Sequence, residues 1–350
     1  MKTCRRDFFK GMTIVAATAG VPSLARAGAA TTHAGGSVRF CAFADLHYYP
    51  GVLPNSENLS FLDGVLARAK AEKAEFIIDL GDFVHRTDRP EELAAIKRYR
   101  TCGLPNYHVL GNHDGEYTSV KEAMELFGMK KNYYFFDCKG WRFIVGDDNH
   151  FKTKDGKFVH YERWNFDKYV KANNLEWFDC IPPEQVKWLR QTIDASPYPC
   201  VFFSHGSVER GWSVRNNEEI RAVFNEANRK SPGKVRLVIN GHHHTDHVCV
   251  LDDIVYLELN SANYYYFGKQ HDAYPPEMRK KAEDIRNTIA WREPLSAVIS
   301  LDEENIRIDG SHSTYLLDIT PEKAGYPPFD ELRRPALPLV STFEYKRTRT

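Results

Sequence analysis

No Cys-x-x-Cys pair occurs among the seven cysteines of this 350-residue chain, so the close ligand spacing of a structural zinc site is missing. Cys41 and Cys200 lie inside apolar runs, and buried free thiols are the expectation. One or two disulfides stay open for an oxidising compartment. Charge of one sign is lacking too: Lys plus Arg and Asp plus Glu stand at 47 each, for a formal net charge of zero. That balance argues against a nucleic-acid-binding or membrane-coating surface as the main purpose. There is no internal repeat, and no low-complexity tract beyond the first residues. The longest apolar stretch near the N-terminus, residues 11–24, is too short to span a bilayer comfortably. What the chain does have is 42% apolar and 13% aromatic content, enough for a sizeable core in one large or two ordinary domains, and 14 histidines.

Residues 1–29 read as a secretory signal and spacer. Lys2, Arg5, Arg6 and Lys10 precede the apolar stretch, and Ala25-Arg26-Ala27 is an A-x-A-type cleavage site. Arg5-Arg6-Asp7-Phe8-Phe9-Lys10 resembles the twin-arginine signal that exports folded proteins. The expectation is a periplasmic or secreted protein whose precursor engages the twin-arginine (Tat) machinery and whose mature form has no membrane anchor.

From residue 37 onward, short β-rich runs end in polar clusters and amphipathic helical patterns follow them. Leu62, Val65, Leu66 and Ala69 share one helical face within 59–72, and Pro90 opens another helix at a favourable first-turn position. Residues 133–138 and 141–146 read as a strand pair turning at Lys139-Gly140, 183–194 and 217–230 as helices, and 254–259, 296–301 and 305–309 as closing strands. Residues 151–181 and 262–293, rich in aromatics, read as loops or small excursions over a site. The proline-bearing segment 314–350 reads as an extended tail behind a domain spanning 37–313.

Polar clusters sit where predicted strands end: Asp45-x-His47, Gly81-Asp82, Gly111-Asn112-His113-Asp114, His205 and Gly241-His242-x-His244. Ligand sites of open α/β sheets gather outside the carboxyl ends of strands. Carboxylate, amide oxygen and imidazole without thiolate are donors for borderline metals. The glycines before Asp82, Asn112 and His242 let the chain turn sharply. Each cluster alone is ordinary, since Asp-x-His arises by chance and Gly-Asn-His-Asp can be a plain turn. The ordered set, with helix-sized intervals between members, is not.

This order of motifs resembles the calcineurin-like metallophosphoesterases, across residues 45–244. The resemblance implies an α/β fold, a four-layer α-β-β-α sandwich, and two divalent or trivalent metal ions of Mn, Fe, Zn or Co. It implies one ion on Asp45, His47, Asp82 and His244, and a second on Asp82, Asn112, His205 and His242. Asp82 is then shared, and a hydroxide bridging the ions attacks phosphorus. His113 would contact the phosphate or protonate the leaving alcohol. Asp114 either orients a neighbouring imidazole or caps a helix, and His243 points away from the ligands.

His85 stands three residues after Asp82, where purple acid phosphatases carry a metal-bound tyrosine and calcineurin-type phosphatases an aspartate. A histidine there resembles the nuclease members and leans toward a phosphodiester, or it is a supporting or surface histidine. The leading expectation is a hydrolase of small phosphomonoesters or phosphodiesters. An exported nuclease or nucleotidase is the alternative, and a non-catalytic metal-binding protein stands behind both. No stable nucleic-acid complex is expected, because a duplex binder gains affinity from clustered Lys and Arg.

Overall fold

The computed structural model describes residues 36–48, 59–87, 89–210, 213–281, 283–329 and 333–347. The expected signal and spacer therefore lie outside the described residues. Strand β1 (Val38–Phe43), helix α1 (Ser60–Ala71), β2 (Phe76–Asp79), α2 (Pro90–Arg100) and β3 (Asn106–His108) come first. The three strands pair in parallel, Phe40 beside Phe76 and Ile77 beside Asn106. Helix α1 turns Phe61, Leu62, Val65, Leu66 and Ala69 inward, the stripe that its spacing predicts. Pro90 occupies the first turn of α2, with Glu91 and Glu92 at the positive end and Lys97, Arg98 and Arg100 at the negative end of the helix dipole.

Two short helices follow, α3 (Asn112–Glu116) and α4 (Val120–Phe127). Ser119 Oγ accepts from Glu122 N to cap α4. Strands β4 (Tyr134–Cys138) and β5 (Trp141–Val145) form the expected hairpin. Its turn residues Lys139 and Gly140 have φ of 49° and 77°, the left-handed pair that suits the twist of a two-residue turn. An excursion comes next: β6 (His150–Thr153), β7 (Phe158–His160), α5 (Phe166–Lys171) and β8 (Leu175–Cys180). The chain then runs through α6 (Pro183–Asp194), β9 (Cys200–Phe203), α7 (Asn217–Lys230), β10 (Val235–Asn240), β11 (His247–Leu251) and β12 (Ile254–Glu258). It closes with β13 (Tyr264–Tyr266), α8 (Pro276–Lys281), β14 (Thr288–Ala290), β15 (Ala297–Leu301), β16 (Asn305–Asp309) and β17 (Phe343–Lys346).

Two six-stranded sheets result, in the orders β17-β16-β15-β1-β2-β3 and β11-β12-β10-β9-β5-β4. Their facing sides bury Phe40, Phe76, Phe143, Phe203, Leu237 and Ile299 in one core. The outer face of the first sheet packs on α1 and α2 through Phe43, Ile77, Leu66 and Ile96. Phe202, Val238, Leu189 and Phe224 join the second sheet to α6 and α7. The layers are helix, sheet, sheet, helix, as expected.

Two segments read as loops or small excursions carry small sheets, and the segment read as a tail differs from that reading. Residues 150–180 carry a sheet of their own, ordered β7-β6-β8, on which Tyr161 meets Phe166 and Phe178 edge-on at 5.4 and 5.5 Å. Within 262–293, β13 and β14 pair antiparallel. The segment after 313 is no free tail: β17 covers the edge of β16, with Tyr345 beside Ile306, and Ala336 and Val340 are buried. Alternation of Phe343 and Tyr345 with Glu344 and Lys346 gives β17 one face for the domain and one for water. The described cysteines are free thiols, most of them buried, as their apolar surroundings predict. No helix among the described residues is long and apolar enough to cross a membrane.

Candidate metal centre

The residues at the strand ends converge on one spot between the rims of the two sheets. Asp45, His47, Asp82 and Asn112 follow β1, β2 and β3, while His205, His242 and His244 follow β9 and β10. One triad comprises Asp45, His47 and His244, and another Asp82, His205 and His242. In the first, His47 Nε2 and His244 Nε2 are 3.2 Å apart, and Asp45 Oδ1 lies 3.4 Å from His244 Nε2. In the second, His205 Nε2 is 3.2 Å from Asp82 Oδ2 and 3.1 Å from His242 Nδ1. Asp82 Oδ2 also lies 3.6 Å from His47 Nε2, so one oxygen reaches ring nitrogens of both triads. Asn112 stands beside them at the start of α3, with Oδ1 buried and unpaired.

The hydrogen atoms leave these atoms few partners other than a cation. His205 Nδ1 donates to Leu80 O and His244 Nδ1 to Tyr264 O, both at 2.7 Å. In the neutral rings, each Nε2 then presents a lone pair to the centre. Lone pairs of nitrogen and carboxylate oxygen face one another there, an arrangement that a cation relieves. Asp45 Oδ1 is likewise buried without a hydrogen-bond partner. The donor set is nitrogen and oxygen without sulfur, which fits Mn, Fe, Zn or Co.

A proton on His205 answers the same crowding: burial opposes its charge, but Asp82 raises the imidazole well above the usual range. Burial and the neighbouring His113 hold His47 well below the usual imidazole range, hence neutral and able to ligate. Burial opposes ionisation of Asp82, yet His205 and His113 outweigh it and keep the carboxyl well below the usual carboxylate range. Burial also opposes the charge on His113, but Asp82 and Glu116 raise it to about 9. With no ion drawing on the charge of Asp82, His113 thus favours its protonated form.

The backbone at the centre is strained. Asp45, His47, Asp82, His242 and His244 have φ of 51°, 41°, 54°, 74° and 52°, in the left-handed region. Such conformations cost about 1–3 kcal/mol each and collect at functional sites. The 242–244 segment is therefore not extended, as its H-x-H pattern suggested, although His243 still leaves the centre, its Nδ1 lying 3.3 Å from Glu258 Oε1. The glycines work differently from the expected sharp turns. Gly81 has φ of 100° and does use its freedom. At Gly111, by contrast, φ is −100° and a Cβ would stand 2.2 Å from Asp82 Oδ1. Close approach of the shared carboxylate excludes a side chain there.

The three candidate catalytic residues fall in different places. His113 edges onto the His47 ring with centroids 4.8 Å apart, its Nδ1 lying 3.0 Å from Glu116 Oε2. His85 stacks against His113 at 5.9 Å and shares a tight group with His47 and His113. Asp114 is fully buried behind the centre. It accepts from Gly111 N at 2.8 Å and from Asp82 N at 3.1 Å, and faces an imidazole, that of His108 at 3.2 Å. The N-cap of α3 is Gly111, and Asp114, its third residue, positions the loop under Asp82 and touches neither triad's ring nitrogens.

Several supporting residues escaped sequence reasoning. Asp148 accepts from His205 N at 3.0 Å and Gly206 N at 2.8 Å, fixing the loop that presents His205. Its signal was available, because Gly146-Asp147-Asp148-Asn149-His150 is another polar cluster at a strand end. Glu116, three residues beyond His113 on α3, was legible from helical spacing. Tyr264 stacks on His47 at 5.3 Å and had no sequence signal beyond its aromatic run.

Nothing among curated proteins matches the chain. A dimetal phosphatase from Danio rerio has a similar fold, with a TM-score of 0.52 at 15% identity over 78% of this chain and 95% of that one. Weaker likenesses are the anchor in the inner membrane complex of Plasmodium and a putative 5'-nucleotidase from Staphylococcus aureus. The former has a TM-score of 0.46 at 13% identity, covering 78% of this chain and 84% of that one. The latter has 0.45 at 13%, covering 80% and 54%. The family model of the calcineurin-like phosphoesterases matches residues 38–246, which span every strand end described above, and the chain belongs to that family.

Proposed function

We propose that this metallophosphoesterase hydrolyses small phosphate esters, with a preference for phosphodiesters, and works outside the cytoplasm. The observation that carries the reading is Asp82 Oδ2, within 3.2 Å of His205 and 3.6 Å of His47, a carboxylate oxygen shared between two triads. Asp45, His47, Asp82, Asn112, His205, His242 and His244 would hold two ions there, which would supply polarisation of the phosphate oxygens and an activated water. The chain's own residues do the rest. His113, held by the Glu116 carboxylate at 3.0 Å, is set to donate to a phosphate oxygen or to the leaving alcohol. Asp114 and Asp148 hold the loops that carry Asp82 and His205. His85 stacks on His113 as a second imidazole beside the triads, and its resemblance to the nuclease members supports the diester preference. The expected signal motif in residues 1–29 supports export by the twin-arginine route.

Metal-reconstituted protein should hydrolyse an aryl phosphodiester faster than the matching aryl phosphomonoester, and Asp82→Asn should abolish both activities. Equal or reversed rates would remove the diester preference, and full activity in metal-stripped Asp82→Asn protein would remove the metal mechanism. Export should stop when Arg5-Arg6 becomes Lys-Lys. Unchanged accumulation outside the cytoplasm would assign the protein to the general secretory route.

A further inference from the structure

We propose that Asp147, His150 and His160 form a third cation site, for a transition-metal dication such as zinc, that fastens the β6–β8 excursion to the rim of the catalytic domain. Asp147 lies two residues beyond β5, at the carboxyl end of a strand of the second sheet, beside the Asp148 that braces His205. His150 opens β6, His160 ends β7, and the two are direct cross-strand partners with ring centroids 4.6 Å apart. One ligand atom from each of the three residues lies within 4.8 Å of the others.

The wiring repeats that of the main centre. His160 Nδ1 donates to Tyr161 O at 2.8 Å, as His205 and His244 donate to Leu80 O and Tyr264 O. A backbone carbonyl on one ring nitrogen fixes the tautomer and turns the other nitrogen toward a ligand. In neutral His160 that other nitrogen, Nε2, presents a lone pair to Asp147 Oδ2 at 2.8 Å. Acceptor facing acceptor needs a proton or a metal cation between them. Asp147 is fully buried, and its Oδ1 accepts from Asn149 N at 3.0 Å and Asn149 Nδ2 at 2.9 Å. Oδ2 accepts from Asn132 Nδ2 at 2.6 Å, which leaves it one lone pair on the imidazole side. His150 Nδ1 is buried with no hydrogen-bond partner. Two imidazoles and one carboxylate suit zinc, cobalt or iron rather than calcium or magnesium. The His160 side chain keeps 16% exposure, which leaves a way in for an ion and a water ligand.

The test is a zinc titration of metal-stripped full-length protein by equilibrium dialysis with elemental analysis. In an Asp82→Asn/His205→Ala/His47→Ala/His244→Ala background, in which both triads of the main centre have lost ligands, about one zinc should remain bound, and adding His150→Ala should remove it. In the otherwise unaltered protein, His150→Ala should lower the bound zinc by one equivalent. Cobalt provides an independent readout: its visible absorption in the disabled background should vanish with His150→Gln, which nearly keeps the side-chain volume should the alanine variant misfold. If His150 substitution changes neither zinc content nor cobalt absorption, the proposal is overturned and the contact is an ion pair of Asp147 with protonated His160. Because the background lacks the main centre, this result is independent of whether the two-ion reading holds.

Discussion

The core between the sheets and the rim at their ends belong to the same strands but follow opposite rules. In the core, Phe40, Phe76 and Phe143 pack with ring centroids 4.8–5.4 Å apart, fully desolvated and free of polar atoms. A few residues further along those strands, Asp45 and Asp82 sit on left-handed backbone with carboxylates pressed against imidazoles. Close packing makes the first region stable whether or not anything is bound. The second concentrates strain, buried charge and unpaired lone pairs, each costly unless a ligand compensates. The difference teaches that this domain holds an unfavourable arrangement in place with a favourable one beneath it.

That contrast can be broken by moving effects from one region to the other. The largest expected effect is catalytic. His113→Ala should lower kcat by about 10²–10⁴-fold, the usual worth of a positioned proton donor, with little change in melting temperature or metal content. Steady-state kinetics beside a metal assay read this, and a loss of metal in step with activity would make His113 a ligand instead. Next comes the core. Phe143→Ala should destabilise the protein by about 3–5 kcal/mol, measured by denaturant unfolding, while folded molecules keep their activity. A large fall in activity per folded molecule would mean that the core tunes the rim directly.

A smaller effect separates the layers just behind the centre. His108, between Asp79 at 2.5 Å and Asp114 at 3.2 Å, is disfavoured as a cation by burial, but those carboxylates raise it from 6.5 to about 9. A raised histidine adds stability that is full below the unfolded pKa of 6.5 and is lost as pH climbs through about 9. Burial also lifts Asp79, from 3.8 to about 7, and that shift makes stability fall as pH rises between those two values, mostly below the His108 interval. The melting temperature of metal-free protein should therefore drop by several degrees between pH 6.5 and 9, and less so in His108→Gln. A flat profile in the parent protein would show that His108 is neutral in the fold.

Much of the fold was legible because its periodicity is plain. The stripe of α1, Pro90 at the head of α2, and the Lys139-Gly140 turn each state a local rule that the tertiary structure keeps. The strand-end clusters were legible for the same reason, a β-rich run followed by polar residues. Other features depend on partners remote in sequence. β17 reads as a tail until β16 is beside it, and Asp148 is one acid among many until His205 N and Gly206 N point at it. The left-handed backbone of the ligands has only a weak sequence signature, since aspartate and histidine adopt it more often than most residues but still in a small minority of cases. Gly111 illustrates the middle ground: its importance was visible, but the reason, a carboxylate where a Cβ would go, needed coordinates.

The central claim is that Asp82 joins two ions in one centre. Its most direct test is the metal content of the His150→Ala protein, which removes the proposed third site, with and without Asp82→Asn, after zinc loading and dialysis. Two equivalents falling to one or none with Asp82→Asn is the predicted result. Two equivalents retained with Asp82→Asn would contradict the shared carboxylate and the account built on it.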